Sequence, residues 1–162
     1  MKALPLYSAK IRAPFAVLGI RTANGQVTGI EYLAKSERAA APTDPVAAHA
    51  VKALGRYLAN PHYRFALPLA PRGTPFQRRV WDAIAAIPVG ESRTYGEIAR
   101  TVRSAPRAVG QACSANPIAL VVPCHRVVGS RGALGGFMNA AEGDPLAIKR
   151  WLLTHEGYRF GA

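Results

Sequence analysis

The apolar pattern changes period near residue 70, which limits the chain to a strand-rich first part joined to a helical second part. Before the change, residues 15–20 and 27–33 form apolar, partly β-branched runs on either side of Asn24-Gly25. That dipeptide accepts the positive φ angles of a tight hairpin turn. A helix is predicted next, with Thr43 or Asp44 as its cap, Pro45 in its first turn and an end near Asn60-Pro61. Residues 64–69 are a candidate further strand. After the change, Phe76, Val80, Ile84 and Ile87 recur at helical spacing until Pro88 stops the run. Between the two patterns, residues 71–75 hold Pro71, Gly73 and Pro75 and read as a linker. The expected division is therefore 1–70, a linker at 71–75, and 76–162.

The second part continues with short helices. Thr94 and Glu97 make a capping-box pair at the head of one that ends near Val102. A turn at Arg103-Ser104-Ala105 leads to another, from Pro106 to about Ala115, before Asn116-Pro117. Two short helices, a tight turn and several arginines suggest a helix-turn-helix, although many such pairs serve only as core. A last helix is expected from Asp144-Pro145 to Glu156, closed by Gly157.

Composition narrows the function. Apolar residues make up 49% of the 162, enough for a real core. No apolar run approaches the ~20 residues of a membrane span, and the N-terminus lacks the apolar core of a signal peptide, so a cytoplasmic protein without a membrane partner is expected. The formal net charge is +12. Residues 1–70 carry nine basic and three acidic side chains, and 71–162 carry twelve and six, so the excess is spread over the whole chain. Such a field attracts polyanions, nucleic acid first among them, although solubility alone also accounts for it. Cys113 and Cys124 are too few for a disulfide framework and lack the spacing of a structural zinc site; no metal is expected.

The chemistry concentrates at Pro123-Cys124-His125-Arg126. Val121 and Val122 favour a buried strand, and Pro123 holds Val122 extended while ending the ladder. Cys124 is thus expected at the tip of a rigid strand, with an imidazole and the permanent cation Arg126 beside it. Nearby positive charge favours the thiolate, which is the nucleophile. A buried structural role is the commoner fate of a single cysteine, and Cys113 is read that way.

These residues, with Arg107-Ala108-Val109-Gly110, Asn116-Pro117 and the stretch from Trp151 to Gly157, resemble the O6-alkylguanine-DNA alkyltransferases over about residues 73–159. The resemblance implies an α/β (α+β) protein: a small ribonuclease-H-like α/β domain, matched only in layout, followed by a mostly helical domain with a helix-turn-helix. It also implies irreversible, single-use transfer of an alkyl group from O6 of guanine, with O4 of thymine left open, to Cys124. The partner is double-stranded DNA carrying O6-alkylguanine, the protein acts as a monomer, whether molecules cluster on DNA is left open, and no cofactor is needed.

Residue roles follow from the same resemblance. His125 is the base, acting through a water, and Glu156 orients it. An extended backbone agrees with the intervening water, since adjacent side chains there point to opposite faces. Tyr95 is a phenolic donor to the base, and Asn116 holds the turn before the cysteine. Arg107 fills the gap left by the flipped nucleotide, whose extrusion costs a few kcal/mol. Tyr95, Gly96, Ala108, Gly110 and Ser130 face DNA in the minor groove, and Ala112 is read as a further small surface residue. Val127, Phe137 and Met138 bind the substrate base. Phe137 stands where the family usually has tyrosine, and residues 138–145 are longer than the usual segment. A lesion sensor without transfer activity is the alternative on this scaffold; its relatives carry tryptophan in place of the cysteine. A cysteine hydrolase is a third reading, but its histidine usually comes from elsewhere in sequence.

Overall fold

A computed structural model describes residues 6–134 and 145–160. The expectations for Phe137 and Met138 lie outside the described residues. Strands β1 (Ala9–Arg12), β2 (Val17–Ala23) and β3 (Gln26–Leu33) form an antiparallel sheet in that order. The turn between β2 and β3 has Asn24 at φ 52° and Gly25 at φ 74°, the left-handed pair that the dipeptide predicts. Strand β1 was not foreseen, because four residues with two of them basic carry too short an alternation to read.

Helix α1 (Pro45–Ala59) packs against this sheet. Asp44 is its cap, accepting a hydrogen bond from the Ala47 amide, and Thr22 of β2 donates to the same carboxylate. The buried face of α1 includes Ala47, Ala50, Leu54 and Tyr57, at the spacing of one helical stripe. Residues 64–69 are not a strand. Leu69 makes a single bridge to Val27, and Pro68, which has no amide hydrogen, prevents a continuous ladder.

Helix α2 (Pro75–Ala85) begins with a capping box between Thr74 and Gln77, so Thr74 and Pro75 belong to its start. A side chain at Gly73 would collide with the Trp81 indole. Strand β4 (Arg93–Thr94) runs into α3 (Tyr95–Val102), which has the expected Thr94–Glu97 box. Arg103 in the left-handed conformation ends α3, and α4 (Pro106–Ser114) follows, completing the helix-turn-helix. Strand β5 (Val127–Val128) pairs in parallel with β4, and α5 (Pro145–His155) closes the fold.

The buried residues form one cluster reaching from the sheet and α1 to α2–α5. The backbone joins the two parts as well: the Ile30 amide donates to Pro117 O, and the Ala119 amide to Ile30 O. Phe15 meets Trp151 with ring centroids 4.8 Å apart. These contacts bring the segment before Cys124 against β3.

Candidate active site

The approach to Cys124 is a folded-back loop, not the expected strand. Ile118 bridges to Ile30, but Leu120 takes φ 72° and turns the chain, so that the Val122 amide returns to Ile118 O at 3.1 Å. A branched aliphatic residue in the left-handed region is strained, and it persists only when its surroundings enforce it. Asn116 supplies much of that enforcement. Its Nδ2 donates to Val122 O at 2.9 Å, and its Oδ1 accepts from the Ile118 amide at 3.0 Å. The same Nδ2 lies 3.3 Å from Cys124 Sγ. Cys124–Arg126 then form one turn of 3₁₀ helix, so the alternating faces expected of an extended segment do not apply to Cys124 and His125.

His125 is fully buried, and its Nε2 lies 2.9 Å from Glu156 Oε2. With Nε2–H donating to the carboxylate, Nδ1 carries the lone pair. Nδ1 is buried and has no hydrogen-bond partner among the described residues. Burial, opposed by Glu156, pushes the imidazole below its ordinary value, so the ring stands neutral and able to accept a proton. Glu156 is also held by Arg126, whose Nε and Nη2 reach its two oxygens at 2.8 and 3.0 Å, and by the Tyr57 hydroxyl at 2.6 Å. Burial raises the Glu156 carboxyl, but the hydrogen bonds from His125 and Arg126, with the positive charge of Arg126 and of His125 once it is protonated, outweigh it and hold the group far below the usual carboxylate range.

One reading of the sulfur's surroundings is corrected here and one is extended. Arg126 turns to Glu156 and to Ile87 O at 2.7 Å, so its charge is engaged there and is not offered to the thiol. Cys113 is buried on α4, as the structural reading expects, and its side chain also meets that of Cys124. The Cys113 contact and burial raise the Cys124 thiol well above its ordinary value, against the lowering effects of Asn116 and Lys149. The resting group is therefore a thiol, and a base must take its proton.

Lys149 was missed altogether. It is fully buried on α5, donates to Leu134 O at 2.5 Å, and sits 5.7 Å from the centre of the Tyr95 ring. Burial pushes it down to about 8. Tyr95 opens α3 beside both sulfurs, and burial above all raises its phenol, which stays protonated. A buried lysine within a Leu/Ile-rich helix was the available sequence signal, but only the fold shows what it faces.

The remaining predicted residues divide between surface and interior. Arg107 is exposed at the start of α4, whose cap position, Ala105, offers no side-chain hydrogen bond. Ala108 and Gly110 are half-buried; a Cβ at Gly110 would meet nothing within 4 Å, so internal packing does not demand glycine there. Gly96 likewise has room, its nearest neighbour being Thr94 Oγ1 at 3.8 Å. Ser130 is exposed, whereas Val127 is buried in β5. Ala112 is also buried, which corrects its reading as a surface residue: α4 turns it inward, and its carbonyl accepts the Trp81 indole N–H at 2.9 Å. Among the described residues, no group of three or more His, Cys, Asp or Glu side chains is placed to hold a metal ion, and no helix is long and apolar enough to cross a membrane.

Comparison with known proteins agrees with this arrangement. Residues 75–158, just over half the chain, match the family described as 6-O-methylguanine DNA methyltransferase, DNA binding domain. A methylated-DNA–protein-cysteine methyltransferase of Methanosarcina acetivorans is 48% identical over 110 residues, spanning 67% of each chain. The constitutive enzyme of that name from Bacillus subtilis is 46% identical over 114 residues, or 69% of this chain and 67% of its own. In three dimensions, the chain resembles Mycobacterium tuberculosis OGT, crystallised in complex with DNA, with a TM-score of 0.76 and 40% identity over 91% of this chain and 90% of that one. A cysteine, a neutral histidine and its carboxylate, set behind a helix-turn-helix, together with these matches, place the chain in the methylated-DNA–protein-cysteine methyltransferase family.

Proposed function

We propose that this protein repairs alkylated DNA by transferring the alkyl group from O6 of guanine to its own Cys124, once per molecule. The observation that carries the reading is the pairing of two contacts in one short turn: Asn116 against Cys124 Sγ, and the neutral His125, next in sequence, fixed through Nε2 on Glu156. In the transfer, a sulfur–carbon bond forms as the carbon–O6 bond breaks. The thiol proton passes to His125 Nδ1 through a water, the Tyr95 phenol gives a proton to the departing guanine, and the imidazolium proton returns through solvent to the phenolate, so that both groups end as they began. Two groups set the direction of proton flow. Glu156, charged at neutral pH, stabilises the imidazolium, and Tyr95 is far too weak an acid to lose its proton beforehand.

DNA is bound through the helix-turn-helix. The small residues Gly96, Ala108 and Gly110 allow close approach of α4 to a minor groove, and Ser130 contacts the backbone nearby. Exposed Arg107 enters the stack in place of the extruded nucleotide, offsetting part of the unstacking cost of a few kcal/mol. The extruded base meets backbone groups near Val127. The part up to residue 70 and the part from Thr74 onward act together around one shared core. The damaged DNA is itself the alkyl donor, so the reaction needs no cofactor. The protein works as a cytoplasmic monomer, in a compartment that keeps the acceptor thiol reduced.

A single-turnover assay with duplex DNA carrying labelled O6-methylguanine tests this. The expected result is a plateau of one label per protein molecule, with ordinary guanine restored in the DNA. Tight lesion binding without label transfer would make the protein a sensor, and repeated turnover of an ester substrate would make it a hydrolase; either result overturns the reading.

A further inference from the structure

Tyr57 lies on α1, outside the residues 75–158 that match the family, yet its hydroxyl reaches the carboxylate that serves His125. We propose that Tyr57 is a positioning residue for alkyl transfer: its O–H, donated to Glu156 Oε2, fixes that carboxylate for His125 and limits how strongly it draws a proton onto the imidazole. This rests on the reading of Cys124 as the alkyl acceptor.

The geometry supports a shared-acceptor arrangement. Oε2 of Glu156 takes the Tyr57 hydroxyl at 2.6 Å, His125 Nε2 at 2.9 Å and Arg126 Nη2 at 3.0 Å, while Oε1 takes Arg126 Nε at 2.8 Å. A carboxylate oxygen has about two lone-pair sites, so three donors on one oxygen compete for its charge. Tyr57 cannot easily turn away. It is buried, its ring packs 5.6 Å from Phe65 and 5.2 Å from His155, and its carbonyl lies 2.8 Å from His155 Nε2. Burial and the adjacent carboxylate raise the phenol far above its ordinary value, so it remains a donor throughout the working range.

The other groups facing the imidazole come from several elements. Glu156 follows α5 and favours the imidazolium; Arg126 of the same turn and Lys149 of α5 disfavour it. Tyr32 of β3 faces both Glu156 and Cys124. Tyr57 is the donor that α1 adds to this set, and it acts only through Glu156. Without its hydroxyl, Glu156 keeps more charge for His125, the imidazole holds a proton to higher pH, and less of it is available as base near neutrality.

The test is Tyr57→Phe in the full chain, which keeps the ring and removes the donor. Two readouts are needed: the pH dependence of the single-turnover transfer rate, and the NMR titration of the His125 imidazole. Both midpoints are expected to move upward by about half a unit to one unit, a fraction of what a hydrogen bond to a charged group is worth. In a Glu156→Gln background the imidazole shift should vanish, because the coupling runs through the carboxylate. Unchanged midpoints, or a loss of rate that is equal at every pH and tracks a loss of stability, would overturn the assignment of Tyr57 alone. A shifted imidazole in a protein whose wild type transfers nothing would overturn the Cys124 reading, and with it any role in transfer.

Discussion

Asn116 spends both ends of its amide on backbone groups whose arrangement decides where the sulfur stands. Replacing it with alanine leaves the buried Ile118 amide without its partner, removes one of the two donors to Val122 O (the Cys124 amide is the other), and releases the strained turn at Leu120. At about 1–3 kcal/mol for one unsatisfied buried group, Asn116→Ala should lower unfolding free energy by about that amount in urea titration and slow transfer in the folded fraction. Lys149 gives a second, pH-dependent expectation. Held down to about 8, it is charged at neutrality, where it lowers the Cys124 thiol, and it loses that charge as the pH rises. Lys149→Met should therefore transfer more slowly than wild type at pH 7, and the gap should narrow above about pH 8 in a rate–pH series. The sequence made Cys124, His125, Asn116 and Glu156 legible because a local motif and a family resemblance carry them. Cys113, Lys149 and Tyr57 were not legible in those roles. Each acts through a contact made by tertiary packing, and nothing in its sequence neighbourhood signals that contact.

The helices were readable for a different reason. Their ends are written locally: Asp44 and Pro45, Thr94 and Glu97, Pro106, and Gly157 all mark boundaries that the fold respects. The segment from Ile118 to Val122 misled because β-branched residues favour a strand, while Asn116 and the left-handed Leu120 impose a folded-back loop. Strand propensity lost there to side-chain hydrogen bonding. Helix α4 depends on α2 in the same non-local way, through the indole bond to Ala112 O. Trp81→Phe should cost about 1–3 kcal/mol in thermal or urea unfolding, since the buried carbonyl loses its donor. At the outer end of α4, Arg107→Ala should slow repair more in duplex than in single-stranded substrate, because only the duplex requires unstacking. Equal slowing in both would contradict its insertion into the stack.

One core spans both parts of the molecule, and the buried charge at its centre ties stability to pH. Glu156 is depressed in the folded protein, so its contribution is complete above the ordinary glutamate value of 4.5 and is lost as the pH falls below it. His125 is also depressed, from 6.5, so the unfolded chain takes up that proton first and stability falls through the same direction of pH change. Acid unfolding should thus begin below about pH 6.5 and steepen below about 4.5, and Glu156→Gln should flatten the lower part of a stability–pH curve. The net charge of +12 should make lesion-DNA binding weaken steeply with added salt. The central claim is that one of two neighbouring buried sulfurs accepts the alkyl group. Intact-mass analysis followed by peptide mapping, after incubation with duplex DNA containing O6-methylguanine, tests it most directly. One methyl group per molecule, confined to the peptide bearing Cys124 and absent from Cys124→Ala, is the predicted result; an unmodified protein, or a methyl group on Cys113, would contradict it.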